Sequence, residues 1–265
     1  MSSPRTLIIS ASSDIGADLA RRQILKGAAV VGTYRTLTPK VLELQAMGAS
    51  LFQLDVSSAE QARALADFLR DRGFAWDTLI SAAGVLEPIG KFFSLDFESW
   101  QQSFLVNSVA QLRVLHAVFG ARSSTASCRI IFFAGGGTNG PFDNYSAYCV
   151  GKLVLLKMTE LLDSEYPDLQ VSIIGTGWVN TKIHNQTLSA GNAAGINLRR
   201  TQEFLGSGAA GSSLEAVAEC VEWCLSAPRD AVGGRNFSLV HDKWRSPEFV
   251  EELIANPDRY KLRRS

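Results

Sequence analysis

Short apolar runs alternate with longer amphipathic ones along the first eighty-odd residues: TLIIS, DIGADLARRQILKG, AAVVGTY, KVLELQAMG, SLFQLDV, AEQARALADFLRDRG and DTLISAAG. Brief aliphatic and β-branched runs read as strands, and apolar positions three and four apart read as helices, so the order is β-α-β-α-β-α-β. The alternation continues with a helix over residues 98–119, the strand RIIFFA, the helix YSAYCVGKLVLLKMTELLDSE, the strand QVSIIGTG, the helix SLEAVAECVEWCLSA and a last strand RNFSLVHD. Strands that are apolar on both faces need cover on both faces. Seven of them separated by helices predict one α/β domain over residues 1–265, a doubly wound seven-stranded parallel sheet with helices on either side. Gly27 is placed to close the first helix in the left-handed conformation.

The rhythm breaks at about residues 178–213, in the Gly-, Ala-, Asn- and Ser-rich NQTLSAGNAAGINLRRTQEFLGSGAAGSS. It follows the C-terminal end of a strand, the edge where open α/β sheets bind ligands, and reads as a substrate lid, with a surface insertion as the alternative. A C-terminal tail covers about residues 243–265.

Charge and composition narrow the field. Lys plus Arg and Asp plus Glu are both 26, so no basic field draws a nucleic acid. The first apolar run stops at four residues, too short for a signal peptide or a membrane span, and a cytoplasmic protein without a membrane partner is expected. Cys220 and Cys224 are one helical turn apart, on the face of Val217, Val221 and Leu225. They read as core residues rather than metal ligands, and no metal site is expected.

Two stretches carry candidate chemistry. In FFAGGGTNGPFDNYSAYCVGK, Tyr148 and Lys152 stand at i and i+4 and share a helix face. A phenol with a pKa of about 10 is a poor base at neutral pH, and a neighbouring ammonium favours its phenolate. Tyr145 has no such partner, since its i+4 position is Cys149. In LIISASSDIG a strand runs through a tight turn into a helix whose first N–H groups could hold a pyrophosphate.

These stretches resemble the short-chain dehydrogenases/reductases, over essentially the whole chain. ISASSDIG, with Ser10, Ser12, Ser13, Asp14, Ile15 and Gly16, resembles that family's TGASSGIG turn. LDV, with Asp55 and Val56, resembles its adenine contact, and SAAG, with Ala82, Ala83 and Gly84, its NNAG strand end. Asn107 matches the family's helical asparagine, YCVGK its YxxxK, and TGWVNT, with Gly177, Val179 and Thr181, its PGxVxT loop beside the nicotinamide. The resemblance implies a Rossmann fold and hydride transfer between a nicotinamide and a small-molecule carbonyl or secondary alcohol. Tyr148 would pass the proton, Lys152 would also bind the nicotinamide ribose, and Asn107 would hold a water linking Lys152 to solvent. It also implies homodimers or homotetramers built on long helices, to which Leu153, Leu155, Leu156 and Met158 contribute apolar surface.

The departures raise their own expectations. Ser10 and Asp14 replace two glycines of the turn, Thr176 replaces the loop proline, and Gly135 stands where the family carries a substrate-binding serine. Either Gly136 N–H, Gly137 N–H or the Thr138 hydroxyl replaces that serine, in which case Gly135→Ser barely alters turnover, or the chain is a catalytically impaired NADP-binding sensor or scaffold. At the end of the second strand Tyr34 and Arg35 stand with no acid before Glu43, which favours NADP(H) over NAD. Asn139, Asn144, Asn180, Lys182, His184, Asn185, Arg199 and Arg200 suit a hydroxyl-rich or phosphorylated substrate. The tail EELIANPDRYKLRR resembles short-chain dehydrogenases of bacterial surface sugar biosynthesis and suggests a sugar or nucleotide-sugar ketoreductase, although Arg263 and Arg264 read equally well as a solvated end.

Overall fold

The computed structural model describes residues 3–206 and 211–263; lid residues 207–210 and Arg264 lie outside the described residues. Seven parallel strands, β1 (Arg5–Ile9), β2 (Ala29–Tyr34), β3 (Ser50–Gln53), β4 (Thr78–Ser81), β5 (Cys128–Phe133), β6 (Leu169–Gly175) and β7 (Arg235–Ser238), form one sheet in the order β3-β2-β1-β4-β5-β6-β7. The order reverses between β1 and β4, so the doubly wound expectation holds and a crevice opens at that switch.

Strand side chains alternate between two cores, as a period of two requires. Leu7, Ile9, Leu79, Ile130 and Ile173 face a cluster built with α3 (Ala59–Asp71), α5 (Val109–Val118) and α6 (Ser146–Glu165). Ile8, Ile80, Ile131 and Ile174 face the other, built with α1 (Asp14–Leu25), α2 (Pro39–Ala46), α9 (Leu214–Ser226) and α11 (Pro247–Ala255). Cys220 and Cys224 are fully buried there, as their spacing predicts.

The helix expected over 98–119 is two helices, α4 (Phe97–Asn107) and α5, broken at Ser108, whose φ of −139° and ψ of −88° leave the helical region. The break follows Asn107, whose amide binds the backbone of Val85 and so leaves the outer helix face. The run Phe97–Ala121 is long and apolar enough to cross a membrane by length and composition alone. Here α5 packs on α3, and α4 on α6. Leu155 and Leu156, expected at an oligomer surface, belong instead to the core, because α6 turns that face to the sheet. Phe97, Val109, Val150 and Leu161 are the large apolar residues these helices expose.

The lid contains α7 (His184–Ala190) and α8 (Ile196–Gly206), more helix than the Gly- and Asn-rich sequence suggests. Aromatic packing holds it: the His184 ring stacks on Trp178 at 5.3 Å with 5° between planes, and Phe204 abuts both rings. A short helix, α10 (Arg229–Val232), precedes β7. Arg263 is exposed, as a solvated end would be, and pairs at the surface with Glu160 at 2.7 Å and with Asp258 at 2.8 Å, laying the tail along α6.

Candidate active site

The turn after β1 brings the chain back on itself within a few residues. Ser10 takes φ +65°, the conformation the family's glycine would supply, and Ser13 caps α1 by accepting from Gly16 N–H at 3.0 Å while its hydroxyl donates to Ser10 O at 2.8 Å. A Cβ on Gly16 would lie 2.3 Å from Ser10 O, so only glycine permits that approach. This leaves the N-terminus of α1 open on a cleft of about 1000 Å³ along the C-terminal edge of the sheet.

Asp14, the first residue of α1, does not point a bare charge into the cleft. Its carboxylate accepts the backbone N–H of Lys182 at 2.8 Å and pairs with Lys40, and the Lys182 ammonium in turn donates to Ser12 O at 3.3 Å. Burial raises the Asp14 pKa, yet the hydrogen bonds and charges of Lys40 and Lys182 hold it below the usual carboxylate range. The turn after β1 and the loop after β6 are thereby tied together, a contact that no spacing rule in the sequence announces.

Further along the cleft lie Ser10, Ser12, Ser13, Ile15 and Arg35 at one end and Asp55, Val56, Ala82, Ala83 and Gly84 beside them, with Gly177, Val179 and Thr181 from the opposite loop. Asp55 Oδ1 accepts from the N–H and the hydroxyl of Ser57, at 2.9 and 2.7 Å, which with help from Arg35 keeps it ionised. Gly16 and Tyr34, expected at the cofactor, do not line the cleft: Gly16 sits beneath the turn and Tyr34 is half-buried at the end of β2. Of the polar residues expected around the substrate, Asn144, Asn180 and Arg199 are likewise outside it, Arg199 being paired with Glu203 at 3.5 Å.

Tyr148 and Lys152 meet as their spacing predicts, with Lys152 Nζ 5.8 Å from the centre of the Tyr148 ring. Lys152 is 3% exposed and donates to Ala83 O at 3.3 Å. Asn107 is fully buried behind it, clasping Val85 with Oδ1 on its N–H at 3.1 Å and Nδ2 on its carbonyl at 2.8 Å. A Cβ on Gly84 would lie 3.4 Å from Asn107 Oδ1 and 3.6 Å from Lys152 Nζ, so both side chains converge on that strand end. Gly151 makes this possible, since a Cβ there would sit 2.7 Å from Asn107 Cβ, and α4 could not approach α6 so closely.

In the cofactor-free protein the ammonium alone does not offset what burial does to the phenol. Burial pushes the Tyr148 phenol up, and burial brings Lys152 down to about 8. Desolvation penalises both charged forms and outweighs their attraction. The buried ammonium faces a carbonyl rather than a carboxylate, so it costs stability. Between pH 8 and 10.5 the unfolded chain binds a proton that the folded chain has released, and stability rises with pH across that window. Replacing Lys152 with Met is therefore expected to stabilise the cofactor-free protein at pH 7 by on the order of 3 kcal/mol, a gain that fades by pH 10.5, as chemical denaturation at each pH would show.

Gly135 lies against the tyrosine. A Cβ there would stand 2.2 Å from the Tyr148 hydroxyl oxygen and 2.4 Å from its ring carbons. The phenol thus occupies the space a serine side chain would need, and Gly135→Ser cannot be the mild exchange expected from sequence. The Thr138 hydroxyl, the proposed substitute, lines the cleft but donates to Gly135 O at 3.3 Å. Sequence reading also missed Phe142, Tyr145, Asn197 and Thr201, all of which line the cleft; the Tyr145 hydroxyl donates to Thr187 at 2.9 Å.

Comparison with known proteins agrees with this geometry. The short chain dehydrogenase family pattern matches residues 5–192. A benzil reductase ((S)-benzoin forming) of Saccharomyces cerevisiae is 26% identical over 211 residues, covering 75% of this chain and 80% of that protein. A short chain dehydrogenase/reductase structure from Saccharomyces cerevisiae superposes with a TM-score of 0.78 at 18% identity, covering 94% of this chain and 99% of that one. The actinorhodin polyketide ketoreductase crystallised with NADPH superposes at 0.77, with 23% identity over 89% of this chain and 95% of its own. With the turn, the strand end, Asn107 and the Tyr148–Lys152 pair in the family's order along one sheet edge, the chain belongs to the short chain dehydrogenases, oxidoreductases that move hydride between a nicotinamide and a carbonyl or alcohol carbon.

Proposed function

We propose that the chain is an NADP(H)-dependent carbonyl reductase. The observation that carries this reading is Tyr148, held protonated by burial on the wall of the cleft and backed by Lys152 and Asn107. A phenol that keeps its proton is a general acid, suited to the oxygen of a carbonyl as it becomes an alkoxide. Lys152 beside it steadies negative charge on that oxygen, and the Asn107 clasp on Val85 holds the strand end in place. When bound, the nicotinamide supplies the hydride.

The cleft suits a dinucleotide. Backbone N–H groups open at the N-terminus of α1, and Asp14, which would otherwise repel phosphates, is already engaged by Lys40 and the Lys182 N–H. At the end of β2 Arg35 lines the cleft and is exposed, and no carboxylate precedes Glu43, which supports a 2′-phosphate in that position. Arg35→Ala is expected to weaken NADPH binding by about tenfold or more and NADH binding hardly at all, because a charge-assisted hydrogen bond is lost only for the phosphorylated cofactor. Fluorescence titration of both cofactors tests it, and equal losses would return the choice to NAD. Relatives named for carbonyl reduction, the benzil reductase and the polyketide ketoreductase, support the reductase direction. Association through the exposed faces of α5 and α6, with cytoplasmic residence, completes the proposal.

A further inference from the structure

The helix α8 gives its two most deeply buried positions to polar side chains, while Leu198, Phe204 and Leu205 are half-buried. A helix packed on a protein turns apolar residues inward, yet the two buried residues of α8 are Asn197 and Thr201, while Ile196 is 44% exposed. Asn197, Arg200 and Thr201 stand at i, i+3 and i+4, on one face, and all three line the cleft.

Two of these side chains have unspent bonding capacity. Asn197 is 2% exposed; its Nδ2 donates to Asp143 O at 3.1 Å, but its Oδ1 is buried without a hydrogen-bond partner. A buried amide oxygen left unpaired is costly, so a donor is wanted there. Arg200 makes no ion pair or hydrogen bond among the described residues. The cleft's other cations are engaged or distant: Lys152 and Lys182 donate to Ala83 O and Ser12 O, and Arg35 stands at the opposite end.

We infer that this face of α8 is the substrate subsite and takes an anionic hydroxy-ketone, with Arg200 on a phosphate or carboxylate and Asn197 Oδ1 accepting from a neighbouring hydroxyl. The inference rests on the carbonyl-reductase reading and names its substrate class. The guanidinium fork suits either oxyanion, and Asn139, lining the cleft from the glycine-rich loop, adds a second amide.

The test compares a ketohexose phosphate, a keto-uronate and the parent ketohexose, with benzil as an uncharged ketone, in the wild type and in Arg200→Gln and Asn197→Leu. Two quantities are read: kcat/KM with NADPH, and calorimetric binding of the ketohexose phosphate to the protein loaded with NADP. The wild type is expected to prefer at least one anionic ketone to the parent sugar by about tenfold, mainly through KM, and to lose that preference and a similar factor in binding in Arg200→Gln. Which anionic ketone is preferred distinguishes phosphate from carboxylate. Asn197→Leu should weaken both anionic and parent sugars, since it removes the hydroxyl's acceptor. Reduction of benzil without preference for either anion, or a preference that survives Arg200→Gln, overturns the subsite while the reductase reading stands. Arg200-dependent binding with no carbonyl reduced leaves the subsite standing and overturns the reductase.

Discussion

Tyr148→Phe is expected to lower kcat for carbonyl reduction by about a thousandfold, within the range a positioned general acid contributes, while NADPH still binds. The phenol ring is packed against Gly135 and the loop before α6, and phenylalanine fills the same space, so the fold should barely register the change. What disappears is the proton that burial keeps on the phenol. Because burial raises the Tyr148 pKa, the wild-type rate should not rise as the pH approaches 10, as it would for a phenolate base. The titration expected on the pH–rate profile belongs instead to Lys152: activity should fall as the pH climbs through about 8, where the cofactor-free ammonium loses its charge. Stopped-flow NADPH oxidation and cofactor fluorescence on the same preparation separate the outcomes. Full turnover in the Phe variant would remove Tyr148 from the chemistry. Tight NADPH binding without turnover in the wild type itself would favour the cofactor sensor.

Much of this was legible in the chain because the relevant rules are local. Strand and helix periods, the Gly27 stop and the shared face of Tyr148 and Lys152 follow from spacings of two, four and 3.6 residues. The break after Asn107 was not legible, since residues 98–119 are apolar enough to read as one helix and only the clasp on Val85 turns the asparagine inward. The Asp14–Lys182 contact joins residues 168 apart and depends on how two loops meet over the crevice. The helices of residues 178–213 were hidden behind glycine and asparagine, because the most deeply buried positions of α8 are Asn197 and Thr201, with Leu198 only half-buried. Where a helix lines a cleft, polar side chains can take its buried positions, and the hydrophobic period reports burial less clearly.

Gly135→Ser is expected to cost about a hundredfold in kcat and ~1–3 kcal/mol in stability, the usual penalty for overpacking a filled site. The new Cβ would fall within 2.4 Å of three Tyr148 atoms, so either the loop or the tyrosine must move. The loop has little room: a Cβ on Gly136 would already meet Phe142 at 3.3 Å, and Gly137, at φ +87°, lies against Cys149. Displacing the phenol misplaces the proton it delivers, and a misplacement of about 1 Å can remove two orders of magnitude of rate. Gly135→Ala separates sterics from chemistry, for it carries the same Cβ without a hydroxyl. Equal losses in the two variants would show that this active site closes its tyrosine directly against the backbone of Gly135. If serine instead raised turnover while alanine lowered it, the loop would be yielding enough to seat a hydroxyl, and the packing of Tyr148 on Gly135 would not be what sets the proton's position.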